Sequence, residues 1–386
     1  MFKRDIETTL QKGINSFPVI VVTGPRQSGK TTELRKLLPD YAYVSFESAD
    51  TLLDAQDDPR GFLKRYPDGL IIDEAQHYPE IFSYIQEIVD ADPKPGQYVL
   101  SGSQNFLLAE QVSQTLAGRA VILELLPLSY REYLTDAAPI DNMWEYLYTG
   151  SYPRPYHEKL DTDLWYNSYI RTYLERDVRS IVNVKNLSTF QLFLKLCAGR
   201  HGQLLNMNNL AQDCGLSHTT ISQWLNILEA SYIIYRLQPY HNNFKKRQVK
   251  TPKLYFYDSA IVCQLTGIES PEHLQTHSSR GAIFEGFVLS EIQKHYYAKG
   301  KRAPLYFWRD QSGNEVDGII ERAGDVTAIE IKSSATASKS LLTSLQKWQN
   351  ISGNKPEDSQ LIYGGDKSLS LENINIRPWN DLSFLT

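Results

Sequence analysis

The chain has 386 residues, 41% of them hydrophobic and 11% aromatic, with 40 Lys+Arg against 45 Asp+Glu, which is enough apolar material for two or three domains rather than one. No apolar run approaches the roughly 18 to 20 residues that cross a bilayer, so a membrane partner is excluded, and the apolar fraction with 22% charged residues excludes disorder. A net charge of −5 excludes a uniformly basic nucleic-acid binder, although residues 1–150 carry 13 Lys+Arg and 22 Asp+Glu and leave the remainder net positive.

The opening MFKRDIETTLQKG puts Asp5 and Glu7 where a secretion signal needs apolar residues, and three scattered Cys make neither a disulfide framework nor a CxxC metal site; a reducing cytoplasm is the expected location. Residues 18–22, PVIVV, are an apolar β-branched run short enough for a buried strand, followed by a glycine loop and a helical stretch. Gly24, Gly29, Lys30 and Thr31 match G-x-x-x-x-G-K-[ST] in that context. The backbone from Gly24 through Pro25, Arg26, Gln27, Ser28 and Gly29 to Lys30 is expected to wrap phosphates with Thr31 and Thr32 behind it, Lys30 reaching the β/γ-phosphates and the Thr31 hydroxyl holding Mg²⁺.

A second buried strand, Gly69-Leu70-Ile71-Ile72, ends in Asp73-Glu74. Beside a phosphate loop, Asp73 is placed to hold Mg²⁺ through water and Glu74 to polarise the water that attacks the γ-phosphate; the bland alternative is an acidic turn. A third strand, Gln97-Tyr98-Val99-Leu100, runs into Ser101-Gly102-Ser103-Gln104-Asn105, where Ser103 is the candidate sensor between metal-bound water and γ-phosphate. Arg119 precedes a strand over residues 120–125; it is either a catalytic finger, reaching a γ-phosphate in its own or a neighbouring subunit of a homo-oligomer, or an ordinary surface arginine.

The segments GPRQSGKTT, LIIDEA, LSGSQNF and LAGRA, in this order and spacing, resemble the bacterial and archaeal AAA-type ATPases that bear a C-terminal domain of unknown function. That resemblance covers almost the whole chain. It implies an adenine nucleotide, ATP, and an α/β sheet with the nucleotide at the strand ends, and it leaves the biological purpose open.

Pro127, Pro139, Pro153 and Pro155 break up the next stretch, and from Trp165 to Ile181 apolar residues recur at helical spacing with charges between them, Arg176-Asp177 included. Residues 203–237 carry a helix-turn-helix pattern: one helix at 210–213, Gly215 in the turn, Ser217 as cap, and a second helix from His218 exposing Thr219, Thr220, Ser222, Gln223 and Asn226. Residues 232–237 and 240–255 are suited to the wing of a winged helix. No acid lies between Ala230 and Tyr257, where Arg236, Lys245, Lys246, Arg247, Lys250 and Lys253 make the strongest basic run. DNA or other nucleic acid is the expected partner there, a solvated loop the alternative.

In the last third, Glu285 lies on a helix, and strands are expected at 305–308, 315–320 and 326–332, followed by a helix over 339–349 and a strand over 360–363. Glu330 and Lys332 are two apart on one strand and share a face, and Asp317 on the neighbouring strand at the same level completes a D…ExK set. This arrangement resembles the restriction-endonuclease-like nuclease core, which implies a divalent metal on Asp317, Glu330 and Glu285 and a catalytic Lys332; relatives with that core can also use it only to hold nucleic acid.

The expected architecture is therefore α/β: a P-loop NTPase parallel sheet in an AAA-type ATPase domain over residues 1–150, a helical linker and winged helix-turn-helix over 151–265, and a restriction-endonuclease-like domain over 266–386. The expected function is ATP hydrolysis driving a switch or motor on nucleic acid, with a nuclease-like C-terminal domain. The rival is a regulatory or signalling ATPase whose C-terminal half binds protein or DNA without cleavage.

Overall fold

Val19 to Thr23 form β1, a β-branched strand with all five residues buried, and such a run is stable only with both sheet faces covered. Its side chains alternate accordingly. Val19 and Val21 pack with Phe82 and Ile85 of the helix Ile81–Ala91, while Ile20 and Val22 pack with Leu10 and Leu34 on the other face. The computed structural model describes residues 1–103, 114–140, 142–178, 186–241 and 249–385, with the side chains of 175–178 excepted.

β1 lies inside a sheet of order β2-β3-β4-β1-β5, with β2 at Ala42–Ser45, β3 at Leu70–Asp73, β4 at Tyr98–Gly102 and β5 at Ala120–Glu124. All its pairings are parallel, so the ends of β1, β3 and β4 open on one edge, the place where open α/β sheets take their ligands. β2 escaped the sequence reading because its short segment, AYVS, is half-buried throughout.

The middle of the chain is helical. Thr162–Tyr169 runs directly into a wider, π-type turn through Ile170–Val178. Next come the helix Leu187–Ala198, β6 (Gln203–Leu204), the helices Met207–Cys214 and His218–Ala230, β7 (Ile234–Leu237) and β8 (Lys253–Phe256). Gly215 adopts φ 64° between the two helices, and the Ser217 hydroxyl accepts the Thr220 N–H at 3.1 Å. The three strands form an antiparallel sheet of order β6-β8-β7.

The C-terminal sheet has order β13-β14-β12-β11-β10-β9. β9 (Leu305–Arg309), β10 (Glu315–Arg322) and β11 (Asp325–Lys332) are antiparallel neighbours. The helix Thr343–Ser352 carries the chain over to β12 (Ser359–Tyr363), parallel to β11, and β13 (Leu369–Leu371) and β14 (Ile374–Pro378) complete the edge, two strands that the sequence reading did not place. The long helix Arg280–Ala298 is shared: its Phe284, Phe287 and Val288 belong to one continuous core with Tyr130, Tyr146, Phe193 and Phe256. No helix among the described residues is long and apolar enough to cross a membrane.

Candidate functional site

The loop between β1 and the helix Lys30–Leu37 depends on two glycines. Gly24 has φ 147°, and a Cβ there would lie 2.1 Å from the Leu125 carbonyl oxygen; Gly29, at φ 97°, precedes the helix in a conformation side chains rarely adopt. Lys30 is buried, and its Nζ donates to the carbonyls of Gly24 and Pro25, each at 2.9 Å. Burial pushes its ammonium down to about 8, against the pull of Glu74 and Asp73. Pro25 and Ser28 are buried, Gln27 and Thr32 exposed, and Arg26 half-buried in an ion pair with Glu47 at 2.6 Å.

Asp73 closes β3 and is heavily bonded. Its Oδ2 accepts the hydroxyls of Thr31 and Tyr43, both at 2.8 Å, and its Oδ1 accepts Ser101 at 2.5 Å. Glu74 follows at φ 51°, a strained angle that turns its carboxylate back across the strand ends. There its Oε2 accepts the Gln76 amide and both the N–H and the hydroxyl of Ser103, at 3.3 and 3.2 Å. Ser103 thus touches Glu74 itself; Gln104 and Asn105 lie outside the described residues.

Together with Arg26, Gln27, Gly29, Lys30, Thr31, Thr32 and Glu74, a cavity of about 390 Å³ is lined by Phe2 and Arg4 from the N-terminus and by Pro153, Arg154 and His157 from the helix Pro153–His157. The size suits a nucleotide. A hydroxyl and a carboxylate 2.8 Å apart, on Thr31 and Asp73, are hard oxygen donors that fit Mg²⁺, and Ser28 Oγ is buried without a hydrogen-bond partner among the described residues, inside the loop expected to wrap phosphates. Arg4 anchors this loop, donating to the Ser28 and Leu126 carbonyls at 2.7 and 2.6 Å, and a charged residue near the N-terminus offered no sequence signal of that role.

Arg119 requires a correction. Its carbonyl accepts the Val19 N–H at 3.3 Å, which places it at the amino end of β1, a strand's length from the loop that follows Thr23. Its guanidinium pairs with Asp90. A reach to the γ-phosphate of its own subunit is therefore ruled out by the parallel topology.

The C-terminal carboxylates gather around two lysines. Asp317 and Glu330 stand opposite each other by continuation of the β10–β11 register, and Lys332 Nζ lies 3.1 Å from Asp317 and 2.6 Å from Glu330. Glu285 approaches Asp317 from the helix Arg280–Ala298, joined by Glu315, which the sequence reading missed; oxygens of Glu285, Glu315 and Asp317 all lie within 4.8 Å of one another. Burial, then Asp317, push Glu285 up to about 7 and Glu330 up to about 8.

The basic run is partly dissolved. Arg236 pairs with Glu229, the acid just before the acid-free stretch, and Lys253 is buried between Glu285, at 2.9 Å, and Glu315. Lys250 is exposed, and Lys245, Lys246 and Arg247 lie outside the described residues, as do the side chains of Arg176 and Asp177. The base of the expected wing does not stand free either: the Tyr240 N–H donates to the Phe307 carbonyl at 2.6 Å and the Val249 N–H to Arg309 at 3.2 Å, along β9.

Residues 16–134 match a family model described as an AAA domain, and residues 140–272 and 280–382 match two domains of unknown function, DUF8612 and DUF4143. Uncharacterized proteins of Mycobacterium tuberculosis and Mycobacterium bovis are each 32% identical over 340 residues, covering 87% of this chain and 75% of their own. An uncharacterized Haemophilus influenzae protein is 24% identical, with 81% of each chain covered. Among solved structures, a Walker-type ATPase of Pyrococcus abyssi superposes with TM-score 0.40 at 13% identity, covering 69% of this chain and 96% of that one. This chain belongs to one family with the mycobacterial proteins, and it is a P-loop ATPase of AAA type that carries DUF8612 and DUF4143 behind its AAA domain.

Proposed function

We propose that the chain binds ATP with Mg²⁺, hydrolyses it, and uses turnover as a switch on nucleic acid held by its middle and C-terminal regions. The observation that carries hydrolysis is the convergence of Lys30, Thr31 and Glu74 on one cavity at the carboxyl edge of the sheet, with Asp73 bonded to the Thr31 hydroxyl behind them. Lys30 is placed to exchange its two carbonyl partners for β/γ-phosphate oxygens, and Thr31 and Asp73 to hold Mg²⁺, which would neutralise charge on the phosphates. Glu74 orients the attacking water, and Ser103, bonded to Glu74, positions that carboxylate.

Three contacts from the middle region reach this loop and support a switch. The Tyr232 hydroxyl bonds Thr23, next to Gly24, at 2.7 Å; the Tyr169 hydroxyl donates to the Arg26 carbonyl at 3.4 Å; and the Arg26 guanidinium lies 6.0 Å from the Tyr173 ring centroid. Tyr232 is held at φ 56° directly after the helix His218–Ala230, whose exposed Thr219, Gln223 and Asn226 are suited to phosphates and base edges. The order of helices and strands around β6, β7 and β8 supports a winged helix. The lysines set among the C-terminal carboxylates favour holding over cutting, and so lend weight to a regulatory ATPase without cleavage as the second reading.

ATPase rates with and without single- and double-stranded DNA test this. Stimulation by DNA is the expected result, with Glu74→Gln retaining ATP binding while turnover stops. A rate indifferent to both forms of DNA would remove nucleic acid from the function, and wild-type turnover in Glu74→Gln would remove Glu74 from the chemistry.

A further inference from the structure

β8 delivers Lys253 from the middle region into the C-terminal carboxylates. Its side chain is 4% exposed, its Nζ is 2.9 Å from Glu285 and in direct contact with Glu315, and it lies 5.5 Å from the Phe307 ring centroid. Glu285 and Glu315 belong to the trio whose oxygens, with Asp317, come within 4.8 Å of one another. Three carboxylates this close repel unless a cation sits among them. Lys253 is that cation, while Lys332 serves Asp317 and Glu330 and Arg309 braces the outer oxygen of Glu315 at 2.9 Å.

We propose that Lys253 is a built-in cation occupying the place of a divalent ion between Glu285, Glu315 and Asp317, and that Mg²⁺ or Mn²⁺ enters only when β8 withdraws. This rests on reading those carboxylates as a cation site. The chemistry is competition: the Lys253 ammonium stands between the same carboxylates that an oxygen-seeking ion would need, and two positive charges a few ångströms apart repel strongly. The lever is also built in. β8 pairs with β7, β7 follows Tyr232, and Tyr232 bonds the strand that opens the phosphate loop, so the residue that blocks the C-terminal site belongs to the region that touches the nucleotide loop. Residues 238–240 and 249 hold the same segment against β9 through the Tyr240–Phe307 and Val249–Arg309 hydrogen bonds, and Leu254, Tyr255 and Phe256 are buried in the core shared with the helix Arg280–Ala298, so withdrawal must break these contacts together with the two ion pairs of Lys253.

The test is Mn²⁺ binding to the nucleotide-free full chain, followed by electron paramagnetic resonance, in wild type, Lys253→Met, Lys253→Arg and Lys253→Met/Asp317→Asn. The expected result is a Mn²⁺ site at least about tenfold tighter in Lys253→Met than in wild type, absent from Lys253→Arg and lost in the double variant. Equal, tight binding by wild type and Lys253→Met, abolished by Asp317→Asn, would overturn the blocking role and leave the cation site standing. No binding in any variant would overturn the site and the block together. Should Lys253→Met fail to fold, the wild type gives the answer: millimolar Mn²⁺ must raise labelling of Lys253 by an amine-reactive reagent, read by mass spectrometry, and unchanged labelling with Mn²⁺ bound would overturn the proposal.

Discussion

The phosphate loop and the C-terminal cluster both set lysines against carboxylates, yet they are built in opposite ways. Among the described residues Lys30 bonds two backbone carbonyls, at the wall of a 390 Å³ cavity. Lys253 and Lys332 each bridge two carboxylates, and burial with strong local charge leaves both ammoniums more firmly protonated than usual, although burial alone would do the reverse. A lysine held by neutral carbonyls exchanges them for a phosphate without stranding a buried charge. One held by two carboxylates takes their shared counter-charge with it when it goes, which costs several kcal/mol. The first site is prepared for a ligand from solution; the second is satisfied by the chain itself.

The largest effect should come from Lys30→Ala. Loss of ATP binding by at least about a hundredfold in a calorimetric titration is expected, because the replacement removes the main positive charge facing the β/γ-phosphates. Retained tight binding would put the two sites on an equal footing and break the comparison. Gly286→Ala sharpens it from the other side. A Cβ on Gly286 would lie 2.1 Å from His201 Nε2, so α-helix Arg280–Ala298, which carries Glu285, must shift; a loss of about 1 to 3 kcal/mol in thermal or denaturant unfolding is expected, with ATP binding unchanged.

His201 gives a pH dependence of the same region. Burial depresses its imidazole from 6.5 to about 3, while its Nδ1 accepts the Phe256 N–H at 3.1 Å. The unfolded chain therefore takes up a proton that the folded chain refuses: stability is fully present above pH 6.5 and falls as the pH drops toward 3, by roughly 1.4 kcal/mol per pH unit. In His201→Asn that acid slope should flatten in urea unfolding followed between pH 7 and 5, and an unchanged slope would assign it to other groups. The smallest effect belongs to Arg119→Ala. Its solvent-exposed pair with Asp90 is screened and contributes little to stability. ATPase activity per subunit should stay at the wild-type rate in dilute protein, and a large loss that Lys30→Ala protein complements on mixing would instead establish action on a neighbouring subunit.

The sequence by itself determined the phosphate loop, the acidic pair behind β3 and the D…ExK strands, because each depends on short-range rules, while the α/β sheet of the first domain came from the family resemblance. Glycine backbone freedom, the period-2 alternation of strands and the run of β-branched residues in PVIVV are all written within a dozen residues. The helix-turn-helix segment was legible for the same reason, through Gly215 and Ser217. Three things were decided only by tertiary structure. Arg119 sits at the wrong edge of the sheet for its own nucleotide loop because β1 and β5 are parallel in register, a pairing across 100 residues. Tyr43 and Ser101 reach Asp73 because β2 and β4 flank β3, a neighbourhood no local pattern encodes. Lys253 reads as one more cation in a solvated basic run, yet it is buried against acids 32 and 62 positions further along the chain, Glu285 and Glu315, because charge pairing is settled by which surfaces the folded chain presses together and not by order along it.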